Sequence, residues 1–164
     1  MTFDSLGLSA DLVRMVAEEG YETPTPVQEA AVPLILAGRD VLAAAQTGTG
    51  KTAAFVLPIL DRLRSRANTS FSPARHPVLV LILVPTRELS MQVDESVRTY
   101  GRTVPLRSTV VYGGIPMDPQ IKALRGGEDV APGEDEGDRG SLDRRRDLVS
   151  LFGHRLDEVG RQAE

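Results

Sequence analysis

The feature that most restricts this chain is the run Ala45-Gln46-Thr47-Gly48-Thr49-Gly50-Lys51-Thr52, which follows directly on a short apolar stretch at residues 40–45. Strand, glycine-rich turn and Gly-Lys-Thr at a helix start form the pattern of a phosphate-binding loop. Glycines let backbone N–H groups turn inward around phosphate oxygens, and the helix N-terminus adds positive potential. Lys51 is positioned to reach the β- and γ-phosphates, and the Thr52 hydroxyl is suited to ligate Mg²⁺. The general pattern opens with glycine where this chain has Ala45, a tolerable change for a small residue. The competing reading is a glycine-rich surface turn with an incidental lysine, and the flanking strand and helix disfavour it.

Around that loop, strand-like and helix-like segments alternate. Leu12, Met15 and Val16 recur at helical spacing over residues 9–19, and Gly20 suits the C-terminal end. Thr25-Pro26-Val27-Gln28 reads as a helix start, with Thr25 as N-cap, Pro26 in the first turn and Gln28 completing a capping box. That helix runs to Gly38 with Pro33 inside it as an expected kink. A further helix covers residues 52–64, and the polar residues 65–77 form a surface loop. Residues 78–84, apolar on both faces, read as an interior strand of a parallel sheet. A helix follows to about Tyr100, then a third strand at residues 108–112, closed by Gly113-Gly114, and a short helix over residues 118–125. This alternation predicts an α/β fold, a parallel sheet flanked by helices.

Composition sharpens the boundaries. The chain has 164 residues, enough for one ordinary domain, with 41% apolar and 26% charged side chains. Cysteine is absent, which excludes disulfides, cysteine zinc sites and thiol catalysis. The sequence has no apolar run long enough for a membrane helix and no basic-then-apolar leader at its start, so no membrane is expected and the cytoplasm is the expected location. Residues 1–127 hold 13 basic and 12 acidic side chains, whereas residues 128–164 hold 6 and 11. The second segment has too few apolar residues to pack and is expected to be disordered, or to form one amphipathic helix through Leu142, Leu148, Leu151 and Leu156 interrupted at Gly153. His76 and His154, the only histidines, are read as solvent-exposed.

Gln28 has two readings. The capping box explains it and Thr25 without any ligand. A carboxamide can also accept from adenine N6 and donate to N7 at once. The local pattern alone favours the cap.

Taken in order, these segments resemble the DEAD-box RNA helicases. The Q motif of that family is matched by Phe3, seventeen residues upstream, and by Gly20-Tyr21-Glu22-Thr23-Pro24-Thr25-Pro26-Val27-Gln28. Motif I is matched by residues 45–52, motif Ia by Pro85-Thr86-Arg87-Glu88-Leu89, and the GG element by Gly113-Gly114. The resemblance covers residues 3–127. It implies an incomplete RecA-like lobe of P-loop NTPase type, with a Q-motif region at residues 1–38, a partial ATP-binding lobe at 39–127 and a divergent acidic tail at 128–164. It implies ATP with Mg²⁺ as cofactors and an adenine site drawing on Phe3, Tyr21, Thr23 and Gln28. It further implies that Pro85, Thr86, Arg87, Gly113 and Gly114 contact the RNA sugar–phosphate backbone. Such contacts carry no sequence information, so RNA binding is expected to be largely sequence-independent.

The chain departs from that family after Gly127. Where the family continues with an apolar strand and Thr-Pro-Gly-Arg, this sequence reads Asp129-Val130-Ala131-Pro132-Gly133-Glu134, with an acid in the arginine position. The nearest match to an Asp-Glu-Ala-Asp box is Leu156-Asp157-Glu158-Val159-Gly160, preceded by a poor strand at residues 150–155, and is read as chance similarity. The Ser-Ala-Thr motif and a second lobe are absent from the sequence. Phosphoryl transfer needs a residue orienting water and cations for the developing charge in addition to the loop. The expectation is therefore nucleotide binding with Lys51 and Thr52 in place, and no unwinding or RNA-stimulated hydrolysis. Without further strands, residues 40–45 and 78–84 are expected to expose unpaired backbone edges. The abrupt change at Gly127 suggests a reading-frame shift in a GC-rich gene. An acidic tail that contacts a partner, or a plain solvated segment, are the competing explanations. Two other functional classes stay open: a non-enzymatic nucleotide- or RNA-binding fragment, and a P-loop helicase of another family acting on DNA.

Overall fold

The computed structural model describes residues 1–65, 78–125, 130–134 and 150–151. A 3₁₀ turn at Phe3–Leu6 precedes helices α1 (Ala10–Glu18) and α2 (Pro26–Leu36). Helix α3 (Lys51–Arg64) follows the glycine-rich loop. Strand β1 (Val80–Val84), helices α4 (Arg87–Tyr100) and α5 (Met117–Arg125), and strands β2 (Val130–Glu134) and β3 (Ser150–Leu151) complete the described elements.

The helices form where spacing and caps predict. Leu12, Met15 and Val16 are all buried on one stripe of α1. Both α1 and α2 close with paired backbone bonds from the glycine and the residue after it. Gly20 and Tyr21 donate back to Ala17 and Val16, and Gly38 and Arg39 to Ile35 and Leu34. At the start of α2, Gln28 Oε1 accepts from the Thr25 N–H at 2.9 Å, so the capping role is real. Arg62 of α3 donates to the Ile35 carbonyl at 3.1 Å, tying the end of α2 to the helix it packs on. Helix α3 is buried nearly all round, from Ala53 to Leu60 and at Leu63, and is the centre of the core.

The sheet has the order β2-β1-β3. Strand β2 runs parallel to β1, from Val80 opposite Val130 to Val84 opposite Glu134. Residues 108–112 lie on the outer side of β2, where Thr109 and Val111 donate to the Val130 and Pro132 carbonyls at 3.0 and 2.9 Å. Only two isolated parallel bridges form there, at Ser108–Val130 and Val111–Gly133, so the expected third strand is a partial one. Strand β1 is interior and paired on both sides, against the unpaired edge expected for residues 78–84, yet only the face bearing Ile82 and Val84 is fully covered, and Leu81 on the other face is 47% exposed.

Three expectations are overturned. Residues 40–45 do not form a strand: they have apolar content, but no described segment offers them a ladder, and Leu42 is 83% exposed. Residues 130–134, expected to be disordered, form β2, because β1 satisfies their backbone and buries Val130 and Ala131. Residues 150–151 belong neither to a helix nor to a disordered segment. They pair with Ile82 and Leu83, and do so antiparallel in an otherwise parallel sheet. The surface loop after Ser65, both histidines, the acidic pair Asp157-Glu158 and the rest of the expected tail helix lie outside the described residues.

Candidate functional site

Two clusters form at opposite ends of the motif series. The first is the loop at residues 45–52. Gly48 and Gly50 both take left-handed backbone angles, with φ of 82° each, and Gly50 is the N-cap of α3. At such angles a side chain is strained. At Gly50 the restriction is doubled, because a Cβ there would lie 2.4 Å from Gln28 Nε2. Gly48 faces open space, with nothing within 4 Å of an added Cβ. Thr49 Oγ1 donates to the Gln46 carbonyl at 2.7 Å and closes the turn. Lys51 Nζ reaches back across the loop to donate to the Ala45 carbonyl at 2.6 Å.

Gln28 joins this loop to the preceding helix. Its Oε1 accepts from the Thr25 N–H, and its Nε2 donates to the Gly50 carbonyl at 3.2 Å. The side chain is 3% exposed, so both ends of the amide are engaged inside the protein. The sequence pattern showed the cap; the bond to Gly50 was not legible, because nothing in the spacing places residue 50 beside residue 28.

The other residues read as an adenine site sit in different surroundings. Phe3 is buried in the core beneath the first turn. Thr23 is exposed. Tyr21 packs edge-to-face on Tyr100, with ring centroids 6.5 Å apart, and its hydroxyl accepts from the Tyr100 hydroxyl at 3.5 Å. Burial, and then that hydroxyl contact, push the Tyr100 phenol well above its ordinary range.

The loop suits a phosphate chain bound with a cation. Two left-handed glycines, the N–H groups of a helix start, an ammonium and the Thr52 hydroxyl supply donors for phosphate and one oxygen for a metal. Among the described residues no group of three or more His, Asp or Glu side chains is placed to hold a metal ion.

The second cluster lies at the carboxyl ends of the parallel strands, the edge where open α/β sheets bind ligands. Strand β1 ends in Pro85-Thr86, both exposed, and Thr86 caps α4 by accepting from the Leu89 N–H at 3.2 Å. Arg87, the first residue of α4, sets its guanidinium 4.3 Å from the centre of the Tyr112 ring. Tyr112 immediately precedes Gly113-Gly114, and Gly114 has φ of 77°. The two motifs, read separately in the sequence, therefore meet in one place. Tyr112 and Gln120, which bridge them, were missed by sequence reasoning. Behind them, buried Asp94 accepts from Arg98 Nε at 2.8 Å and Ser108 Oγ at 2.6 Å, fastening residues 108–112 to α4. The Asp94–Arg98 spacing on a helix was the readable part of that contact.

A glycine-rich phosphate loop that opens a helix, beside a parallel β1–β2 pair flanked by helices, defines the class as a P-loop NTPase domain. The profile of the DEAD/DEAH box helicase family matches residues 25–151, and the chain belongs to that family. DEAD-box ATP-dependent RNA helicase 52A of Oryza sativa is 43% identical over 78% of this chain and 23% of its own length. ATP-dependent RNA helicase CshA of Limosilactobacillus reuteri is 38% identical over 97% of this chain and 29% of its own. The crystal structure of a DEAD box protein from Methanococcus jannaschii superposes with a TM-score of 0.68 at 31% identity, covering 82% of this chain and 34% of that one. The likeness thus runs past residue 127, where the motif series ends. The chain spans about a quarter of the length of the curated relatives it matches.

Proposed function

We propose that this chain is the nucleotide- and RNA-contacting part of the first lobe of an ATP-dependent RNA helicase, acting in the cytoplasm. The observation that carries this reading is the closed loop at residues 45–52, with Lys51 already turned across it toward Ala45. Lys51 exchanges the Ala45 carbonyl for the β- and γ-phosphates, and backbone N–H groups from Gln46 to Thr52 cradle their oxygens. The Thr52 hydroxyl takes one coordination position of Mg²⁺. Bound ATP supplies the transferable phosphoryl group, and the metal offsets its charge. Gln28 releases part of its internal bonding to read the adenine edge, with Phe3, Tyr21 and Thr23 around the base. Pro85, Thr86, Arg87, Gly113 and Gly114 take the RNA backbone.

Residues 1–164 taken alone are expected to bind nucleotide without turning it over, because phosphoryl transfer also needs a residue that orients water and cations for the developing charge. The test is equilibrium binding of a fluorescent ATP analogue with Mg²⁺, followed by phosphate release with RNA present. Lys51→Ala is expected to weaken binding about 10- to 100-fold, the worth of a charged hydrogen bond. Equal binding by the variant overturns the assignment of the loop. Phosphate release clearly above the Lys51→Ala level overturns the proposal that the chain is inactive alone.

The unladdered residues 40–45 favour a second reading, a non-enzymatic nucleotide- or RNA-binding fragment. Nucleotide binding without RNA-stimulated turnover is its signature. A DNA-directed P-loop helicase is disfavoured by the placement of Gln28 at the loop. Competition between RNA and DNA strands of equal length decides that point.

A further inference from the structure

We propose that Tyr112, held by Gln120, is a positioning residue that sets the Arg87 guanidinium for a nucleic-acid phosphate. The proposal rests on the RNA reading above and extends it to two residues that reading does not use. Three observations support it. First, Arg87 is exposed, and its guanidinium lies over the Tyr112 ring, 4.3 Å from the centroid, with no ion pair to a carboxylate among the described residues. A guanidinium lying on a ring keeps its N–H donors free at the edge while its plane is fixed.

Second, Tyr112 is itself clamped. Gln120 Oε1 accepts from the Tyr112 N–H at 2.9 Å, and Gln120 Nε2 donates to the Tyr112 carbonyl at 3.1 Å. One amide thereby satisfies both backbone groups of a residue that has left the sheet ladder. The residue before it, Val111, is still fixed to β2 through the Pro132 carbonyl.

Third, the platform stands at the carboxyl edge of the sheet. It lies beside the start of α4, where helix N–H groups already favour an anion. A long exposed arginine loses rotamer freedom whenever it grips a phosphate. Stacking on a fixed ring imposes that loss before the ligand arrives, so the ring acts through Arg87 and need not touch RNA.

The experiment is titration of the full chain with a fluorescein-labelled oligouridylate at several salt concentrations. Arg87→Ala is expected to weaken binding and to lower the salt slope by about 0.7, one single-strand phosphate contact. Tyr112→Leu is expected to weaken binding about two- to fivefold, the worth of an exposed cation–ring contact. Tyr112→Phe, which keeps the ring, is expected to match the native chain. Tyr112→Leu added to Arg87→Ala is expected to change nothing further. Gln120→Ala is expected to fall between the native chain and Tyr112→Leu.

If Arg87→Ala leaves affinity and slope unchanged, the RNA reading of Arg87 fails and the positioning role with it. If Arg87→Ala weakens binding but Tyr112→Leu does not, or the two effects add, the RNA reading stands and the positioning role is overturned. Should Tyr112→Leu unfold, the Arg87 Nε–H resonance of the native chain decides. It is expected upfield from the ring current and shifted on RNA addition, and an unshifted resonance refutes the stacking.

Discussion

The phosphate loop and the carboxyl edge of the sheet are built on opposite principles. At the edge, Val80–Val84 is laddered to Val130–Glu134 over five residue pairs, and residues 108–112 hydrogen-bond to the outer side of that strand. At the loop, the feeding segment 40–45 has no ladder among the described residues, and still the turn that follows it is formed. Local forces suffice there: two left-handed glycines, a helix start, the Lys51–Ala45 bond and the Gln28 bridge. A phosphate loop is thus a short-range structure, whereas a strand is a property of its neighbours. Apolar content makes a segment ready to be a strand, and only a partner backbone makes it one.

The largest expected effect contrasts two apolar residues of the two regions. Ile82, fully buried in β1, and Leu42, 83% exposed, look alike in the sequence. Ile82→Ala is expected to cost about 2–5 kcal/mol in urea unfolding, against less than about 0.5 kcal/mol for Leu42→Ala. A costly Leu42→Ala would mean that residues 40–45 are packed after all.

Next comes Gly50→Ala. The left-handed backbone costs about 1–2 kcal/mol for a residue with a side chain. The new Cβ must also displace Gln28 Nε2, 2.4 Å away. A lower melting temperature and loss of nucleotide binding are expected together. Gly48→Ala meets no atom within 4 Å, so it is expected to carry the backbone cost alone.

Gln28→Ala is expected to cost about 1 kcal/mol through its lost cap, with a further loss of nucleotide affinity because the loop is released from α2. Gln28→Glu keeps the acceptor for Thr25 and removes the donor to Gly50. It separates the two roles: stability is expected to hold better than nucleotide affinity.

The smallest effect is in pH. The Tyr100 phenol is raised above its ordinary 10.0 by burial and by Tyr21. A raised folded value favours folding fully below the unfolded value, and that contribution is lost as pH rises from about 10 toward the folded value. Unfolding titrations from pH 8 to 11 are expected to show an alkaline loss that Tyr100→Phe removes.

Helices α1 to α5 were legible because their signals are local: apolar stripes, Thr25 and Thr86 caps, and glycines after the last turn. Strand β1 was legible from its continuous apolar run of Val, Leu and Ile. Strand β2 was not, since Val130 and Ala131 are its only apolar members and Pro132 and Gly133 argue against a strand. Its reality depends on β1 and on the close approach of Val111, whose carbonyl would lie 3.1 Å from a Cβ at Gly133. The same blindness to partners made residues 40–45 look like a strand. At the site, the loop and both motifs at the carboxyl edge of the sheet were readable as runs of residues. The links between runs, Gln28 to Gly50 and Arg87 to Tyr112, are tertiary and had no signature in spacing.

Amide hydrogen exchange with and without Mg·ATP tests most directly whether the loop stands without its strand. Residues 80–84 and 130–134 are expected to be protected, while residues 41–45 exchange nearly as fast as an open chain. Nucleotide is expected to protect residues 48–53 and to leave 41–45 fast. Strong protection of 41–45 before nucleotide is added, or no change at 48–53 after it, would contradict the view that this loop is formed by its own residues and is ready to hold phosphate.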